Sequence, residues 1–230
     1  MKKILSSILL LFLSISFLQA QTKKTAVTKI ASVKNVRIKI ITDSGIIIIK
    51  LNDSTPLHRD NFVKLVKQGF YDSLLFHRVV PNFVIQGGDP GSKNAPPKKM
   101  IGDGDTAMAK IPAEFRTDLF HKRGVLAAAR ESDDVNPTKA SSACQFYIVI
   151  GQKFTDAQLD QMEITWNKVF TPEQRNTYKT IGGIPRLDGK YTIFGEVESG
   201  MNVVDKISML PKDPYDRPLT DFRMKMEIMK

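Results

Sequence analysis

The stretch FHRVVPNFVIQGGDP, Phe76 to Pro90, constrains the fold of this chain more than any other. Its apolar residues, Phe76, Val79, Val80, Phe83, Val84 and Ile85, are interrupted by Arg78 and Gln86, two long polar side chains for which a plain core strand has little use. Pro81 fixes its own φ and Asn82 tolerates a left-handed backbone, so the run is expected to turn sharply in the middle and resume as a strand toward Gln86. Gly87, Gly88 and Asp89 then end it. The arrangement leaves an arginine and a glutamine able to reach a ligand from an otherwise apolar surface.

This segment resembles the signature of the cyclophilin family of peptidyl-prolyl cis/trans isomerases: FHR, two apolar residues, a Pro-Gly-Phe corner and QGGD. Three further stretches agree with that family in the expected order: RGVLAAAR (Arg123 to Arg130), SSACQFYIVIG (Ser141 to Gly151) and LDGKYTIFGEVESGMNVVDKI (Leu187 to Ile207). The likeness covers Val36 to Ile228, broken by one insertion. It implies a mainly β fold over residues 35–230, a closed antiparallel eight-stranded barrel capped by two helices. It also implies isomerisation of X-Pro bonds in proline-containing peptides and in unfolded or folding proteins, with Arg78 and Gln86 as the catalytic pair. Arg78 would donate to the prolyl nitrogen and Gln86 would hold the substrate backbone. Phe83, Val84, Tyr147 and Leu187 would line the pocket for the proline ring, Ala129 and Arg130 would flank the peptide, and Tyr191 would stand at the rim.

Rotation about an amide needs no nucleophile or metal, so no cofactor is expected. A structural ion pair is the alternative role for Arg78, and a proline-peptide binding or chaperone module with little turnover is the alternative function. Four positions depart from the family pattern. Asn82 replaces the corner glycine, Arg130 replaces an asparagine, Arg186 stands where tryptophan precedes the leucine of the LDG motif, and Tyr191 replaces a histidine.

The remaining chain is read from its own periodicities. Lys2 and Lys3, the apolar run Ile4 to Phe17 and small Ala20 before Gln21 have the order of a secretory signal peptide over residues 1–20, giving an exported protein, periplasmic or secreted after cleavage. Residues 21–34 read as a polar tether. Val36, Ile38 and Ile40 alternate with Arg37 and Lys39, and Asp43-Ser44-Gly45 separates them from Ile46 to Leu51, an opening hairpin. Thr55-Pro56 marks a helix start, with Thr55 as the cap. Residues 152–185 form the insertion, where Thr155 with Gln158 and Thr171 with Gln174 have capping-box spacing, predicting two short helices. Leu159, Met162, Trp166 and Val169 give the first of these an apolar face, with Trp166 as a packing anchor. Met224, Met226 and Ile228 alternate as a last strand that pairs with the opening one.

With 42% hydrophobic residues the chain can bury one core. Its +10 charge is scattered rather than gathered into a stripe interleaved with aromatics, which argues against nucleic acid as a partner. One cysteine, Cys144, excludes an internal disulfide, and three histidines without ligand spacing give no metal site. Asp103-Gly104-Asp105 lacks the full calcium-loop spacing and reads as a turn. The chain is read as a monomer.

Overall fold

The computed structural model describes residues 34–104 and 107–229; the signal-like segment, nearly all of the tether and Asp105 lie outside the described residues. Eight antiparallel strands follow one another in the order β3-β4-β6-β5-β7-β2-β1-β8 across a single curled sheet. The opening hairpin pairs β1 (Arg37–Thr42) with β2 (Gly45–Leu51), and its turn ends on Gly45, whose φ of +131° suits glycine. Period-two alternation sends Ile38, Ile40, Ile47 and Ile49 inward, each fully buried.

The core is completed by α1 (Pro56–Lys67) and α4 (Met201–Ser208), which lie against the inner face of the sheet. Phe62 of α1 sits among Tyr71, Phe146 and Phe194 with ring centroids 5.0, 5.7 and 5.3 Å away. Burial of one such ring contributes about 1.5–3 kcal/mol. Pro56 occupies the first turn of α1, but Thr55 does not cap it. The Thr55 hydroxyl turns back to Asn52, and Glu114 takes the end of the helix instead, accepting from Leu57 N at 3.1 Å and His58 N at 3.0 Å. A carboxylate there also complements the positive end of the helix dipole.

The expected closed barrel is not found. β8 (Met224–Ile228) pairs with β1 on one side, while β3 (Phe76–Val80) pairs with β4 (Val84–Gly87), and these two outer strands share no ladder. They meet through one isolated bridge, Leu75 with Arg223, after which Val79 N donates to Asp216 O. Pro211, Pro214 and Pro218 explain the gap: a segment with prolines cannot supply a continuous row of ladder donors, so the edge of β3 is covered by a loop.

The remaining strands, β5 (Val125–Ala128), β6 (Phe146–Val149) and β7 (Ile193–Ser199), complete the sheet. Ile111 makes an isolated antiparallel bridge to Ser141.

Both helices of the insertion form. α2 (Asp156–Trp166) and α3 (Pro172–Thr180) each begin with a reciprocal capping box, Thr155 with Gln158 and Thr171 with Gln174. Leu159, Phe120, Phe170 and Tyr178 make their buried cluster. Arg175 of α3 binds Asp156, Asp160 and Glu163 along α2, fixing one helix to the other. Trp166, however, is not a buried anchor: it is 39% exposed. Asn167 ends α2 in a left-handed conformation, so Val169 leaves the helical face altogether and stands 84% exposed.

Candidate active site

The strand-corner-strand that the signature predicts is built as β3, a turn and β4, with Asn82 at φ +59°. Arg78 and Gln86 are register partners across these strands, so both side chains rise from the same face. Gln86 is also paired with Tyr147 on β6, and Tyr147 with Ala127 on β5, which brings four strands to one small cavity. Its volume is about 160 Å³, and it is lined by Arg78, Phe83, Val84, Gln86, Ala129, Arg130, Tyr147, Leu187 and Tyr191. All nine residues marked by the sequence for catalysis or peptide contact therefore stand around one space.

Arg78 is half-exposed at this space, and its guanidinium lies 5.6 Å from the centre of the Phe83 ring. Its Nε is 3.5 Å from Asp216 Oδ2, beyond the range of a strong hydrogen bond, while Lys212 holds the other carboxylate oxygen at 2.6 Å. The ion pair left open as the alternative role of Arg78 is thus a loose one, and among the described residues its terminal nitrogens have no hydrogen-bond partner. Gln86 Nε2 donates to Gln145 Oε1 at 3.2 Å, and Gln145 Nε2 is anchored on Gly102 O at 2.5 Å. That orientation turns the Gln86 carbonyl oxygen away from Gln145. His77, between Phe76 and Arg78 on β3, is buried.

Arg130 is placed otherwise. Its side chain is only 3% exposed, and its donors go to Lys190 O at 2.8 Å, Glu131 O at 2.8 Å and Asp133 at 2.6 Å, while its plane stacks on Tyr191 at 4.5 Å. It flanks the cavity as a wall, with its guanidinium spent on the fold.

Beneath the cavity lies a network that the sequence reading missed. Tyr147 OH is 3.0 Å from His121 Nε2, and His121 Nδ1 is 3.1 Å from Asp188 Oδ1. Because a carboxylate accepts, Nδ1 carries the proton and Nε2 accepts from the Tyr147 hydroxyl. Asp188 also receives His121 N, Tyr178 OH at 2.7 Å and Lys168 Nζ at 3.2 Å, the last two from the insertion. Burial raises the Asp188 carboxyl, but hydrogen bonds from His121 and Tyr178 outweigh it and hold the group below its usual range. Burial pushes His121 down, more than Asp188 raises it, and pushes the Tyr147 hydroxyl well up. Histidine and aspartate stand 67 residues apart, with no local pattern to betray the pair. Among the described residues no group of three or more histidine, cysteine or acidic side chains could hold a metal ion.

The sequence profile of the cyclophilin type peptidyl-prolyl cis-trans isomerases matches residues 37–228. The chain belongs to this family. It is similar to the peptidyl-prolyl cis-trans isomerase ppi1 of Schizosaccharomyces pombe, 31% identical over 81% of this chain and 94% of the relative. It is also similar to peptidyl-prolyl cis-trans isomerase-like 1 of Emericella nidulans, 28% identical over 80% of this chain and 88% of the relative. The crystal structure of a cyclophilin type isomerase from Cryptosporidium parvum shares the fold at a TM-score of 0.60 and 22% identity, covering 85% of this chain and 98% of that one. A second structure of that protein, determined in the presence of the dipeptide Ala-Pro, has a TM-score of 0.59 and 23% identity over 84% of this chain and 99% of that one. Family membership makes the chain an isomerase.

Proposed function

We propose that this isomerase rotates X-Pro bonds by aiming the Arg78 guanidinium at the prolyl nitrogen while the ring rests on Phe83, Val84, Tyr147 and Leu187. The barrier to be lowered is roughly 18–20 kcal/mol, set by amide resonance. As the bond twists, the nitrogen leaves conjugation and gains a lone pair, so a donor directed there stabilises the transition state and neither planar ground state. The observation that carries this reading is the one cation at the cavity whose terminal donors are unspent. Gln86, held by Gln145, presents its carbonyl oxygen to the peptide backbone and resists the substrate turning as a whole. Peptides carrying an X-Pro unit are the substrate class, in keeping with the Ala-Pro dipeptide studied with the Cryptosporidium parvum protein.

NMR exchange spectroscopy on a short X-Pro peptide tests this. Wild type should broaden the cis and trans resonances at catalytic concentrations, and folded Arg78→Ala should not. Peptide binding without exchange in wild type would replace the enzyme with a binding module.

The site of action follows from the leader: the Lys2-Lys3, apolar run and Ala20 order supports export, with envelope or secreted proteins as clients. N-terminal sequencing of the protein recovered outside the cytoplasm should begin near Gln21. An intact Met1 on a membrane-bound species would mean an anchor instead.

A further inference from the structure

A second cavity of about 500 Å³ adjoins the proline pocket and shares Arg78 and Phe83 with it. The insertion supplies much of its other wall, with Phe154, Met162 and Trp166, while Arg186 closes the near side. The indole at the last position of α2 faces this space while still 39% exposed, an unusual position for the chain's single tryptophan. α2 cannot swing freely, because Arg175 binds three of its carboxylates and Lys168, just beyond its end, is tied to Asp188. The wall is therefore set before any ligand arrives. Arg186 stacks 4.6 Å from the Phe83 ring centre and, among the described residues, has no carboxylate partner.

We propose that this cavity is a specificity subsite for the substrate peptide itself, taking an aromatic or large aliphatic side chain on one side of the proline, with a carboxylate beside it meeting Arg186. Two observations select that occupant. The cavity lies against the proline pocket, sharing Arg78 and Phe83 as its wall, so one end of a bound peptide leaves the pocket beside it. The cavity sharing the opposite side, with Gln86, Ala129 and Arg130, mixes the charged Asp103, Lys110 and Glu131 with Met108 and Ala140 and has no aromatic ring in its lining. One end is thus aromatic and cationic, the other of mixed charge without a ring, and a peptide should bind in one direction. The inference rests on the proposed isomerase reading and adds its selectivity.

The test uses residues 21–230 and a set of peptides built on Ala-Ala-Pro-Ala-Ala. Phenylalanine, with glutamate next to it, is placed before the proline in one peptide and after it in another. Emission of Trp166 reports occupancy directly, since no other tryptophan contributes. One of the two phenylalanine peptides, and not the other, should shift that emission and exceed the alanine peptide in kcat/KM on the order of tenfold. In Trp166→Ala and, independently, in Met162→Ala that ratio should collapse toward one. Arg186→Glu should reverse the preference between glutamate and lysine beside the phenylalanine. Equal ratios in wild type and both α2 variants, or no emission change with either peptide, would overturn the subsite. An emission change without catalysed exchange would keep the subsite and remove the isomerase reading.

Discussion

Arg78 and Arg130 line the same cavity, yet one is held at a single loose contact and the other at all three guanidinium nitrogens. Arg78 has 38% of its side chain exposed and a 3.5 Å approach to Asp216; Arg130 has 3% exposed, three oxygen partners and an aromatic ring under its plane. Residue type does not separate the two, since both are permanent cations with the same fork of donors. Unspent hydrogen-bonding capacity does. A guanidinium that has satisfied its donors within the fold has nothing to offer a transition state, whereas one that has not can direct them at a nitrogen that becomes basic only on twisting.

The comparison breaks first, and most heavily, at Arg78. Loss of one preorganised donor typically lowers the rate on the order of 10²–10³-fold. Arg78→Ala should lose that much in kcat/KM with melting unchanged, and Arg78→Lys should recover only part, since an ammonium cannot reproduce the fork. A folded Arg78→Ala as active as wild type would end the donor assignment. Arg130→Ala should do the reverse. It leaves two carbonyl oxygens without their charged donor and should cost about 1.5–3 kcal/mol in urea unfolding, while changing kcat/KM by less than Arg78→Ala does. A hundredfold loss of turnover at unchanged stability would exchange the roles of the two residues.

A smaller effect separates the walls further. Tyr191, under Arg130, packs edge-on against Tyr147 and His121, and His121 leads to Asp188 and on to the insertion. The Arg130 wall is backed by this buried network. Tyr147→Phe keeps the pocket's ring but leaves His121 Nε2 without its donor, a cost of about 1–2 kcal/mol by the usual penalty for an unpaired buried group. Differential scanning calorimetry should register it, with peptide KM moving little. An unchanged melting temperature would mean that the hydroxyl contributes nothing there.

What could be read in the sequence was local or alternating. The corner at Asn82, the pairing face of Arg78 and Gln86, and both capping boxes depend on residues within a few positions of one another, and all are present. The end of α1 was misread because its cap comes from Glu114, 56 residues from His58. The apolar face of α2 was overread: Leu159 alone is fully buried, since the four-residue cluster beneath the helix is too small to cover a whole stripe. Trp166 then faces the second cavity, a placement that periodicity cannot distinguish from burial. Barrel closure was implied by the family likeness, whereas three prolines decide how the edge of β3 is covered.

The last prediction sets the two walls apart by pH. His121 faces Asp188, Lys168, Tyr147, Tyr178 and Tyr191, and burial leaves it neutral in the folded protein. His58, against Glu114 at the start of α1, is likewise lowered chiefly by burial despite its carboxylate. In the unfolded chain both return to a value of about 6.5. Below that pH the unfolded state binds protons that the folded state refuses, so stability rises with pH, is complete above about 6.5, and falls as pH drops toward the depressed folded values. Asp188, held low, adds its own loss only further down, beneath the ordinary carboxylate range. The unfolding midpoint should therefore decline between pH 7 and pH 5, and the decline should shrink in a folded His121→Asn variant. The donor proposed for the chemical step is a guanidinium and not a histidine, so kcat measured while the protein remains folded should stay level as stability falls. A kcat that tracks the histidine titration would place His121 in the chemical step and undo the separation between a wall that catalyses and a wall that supports.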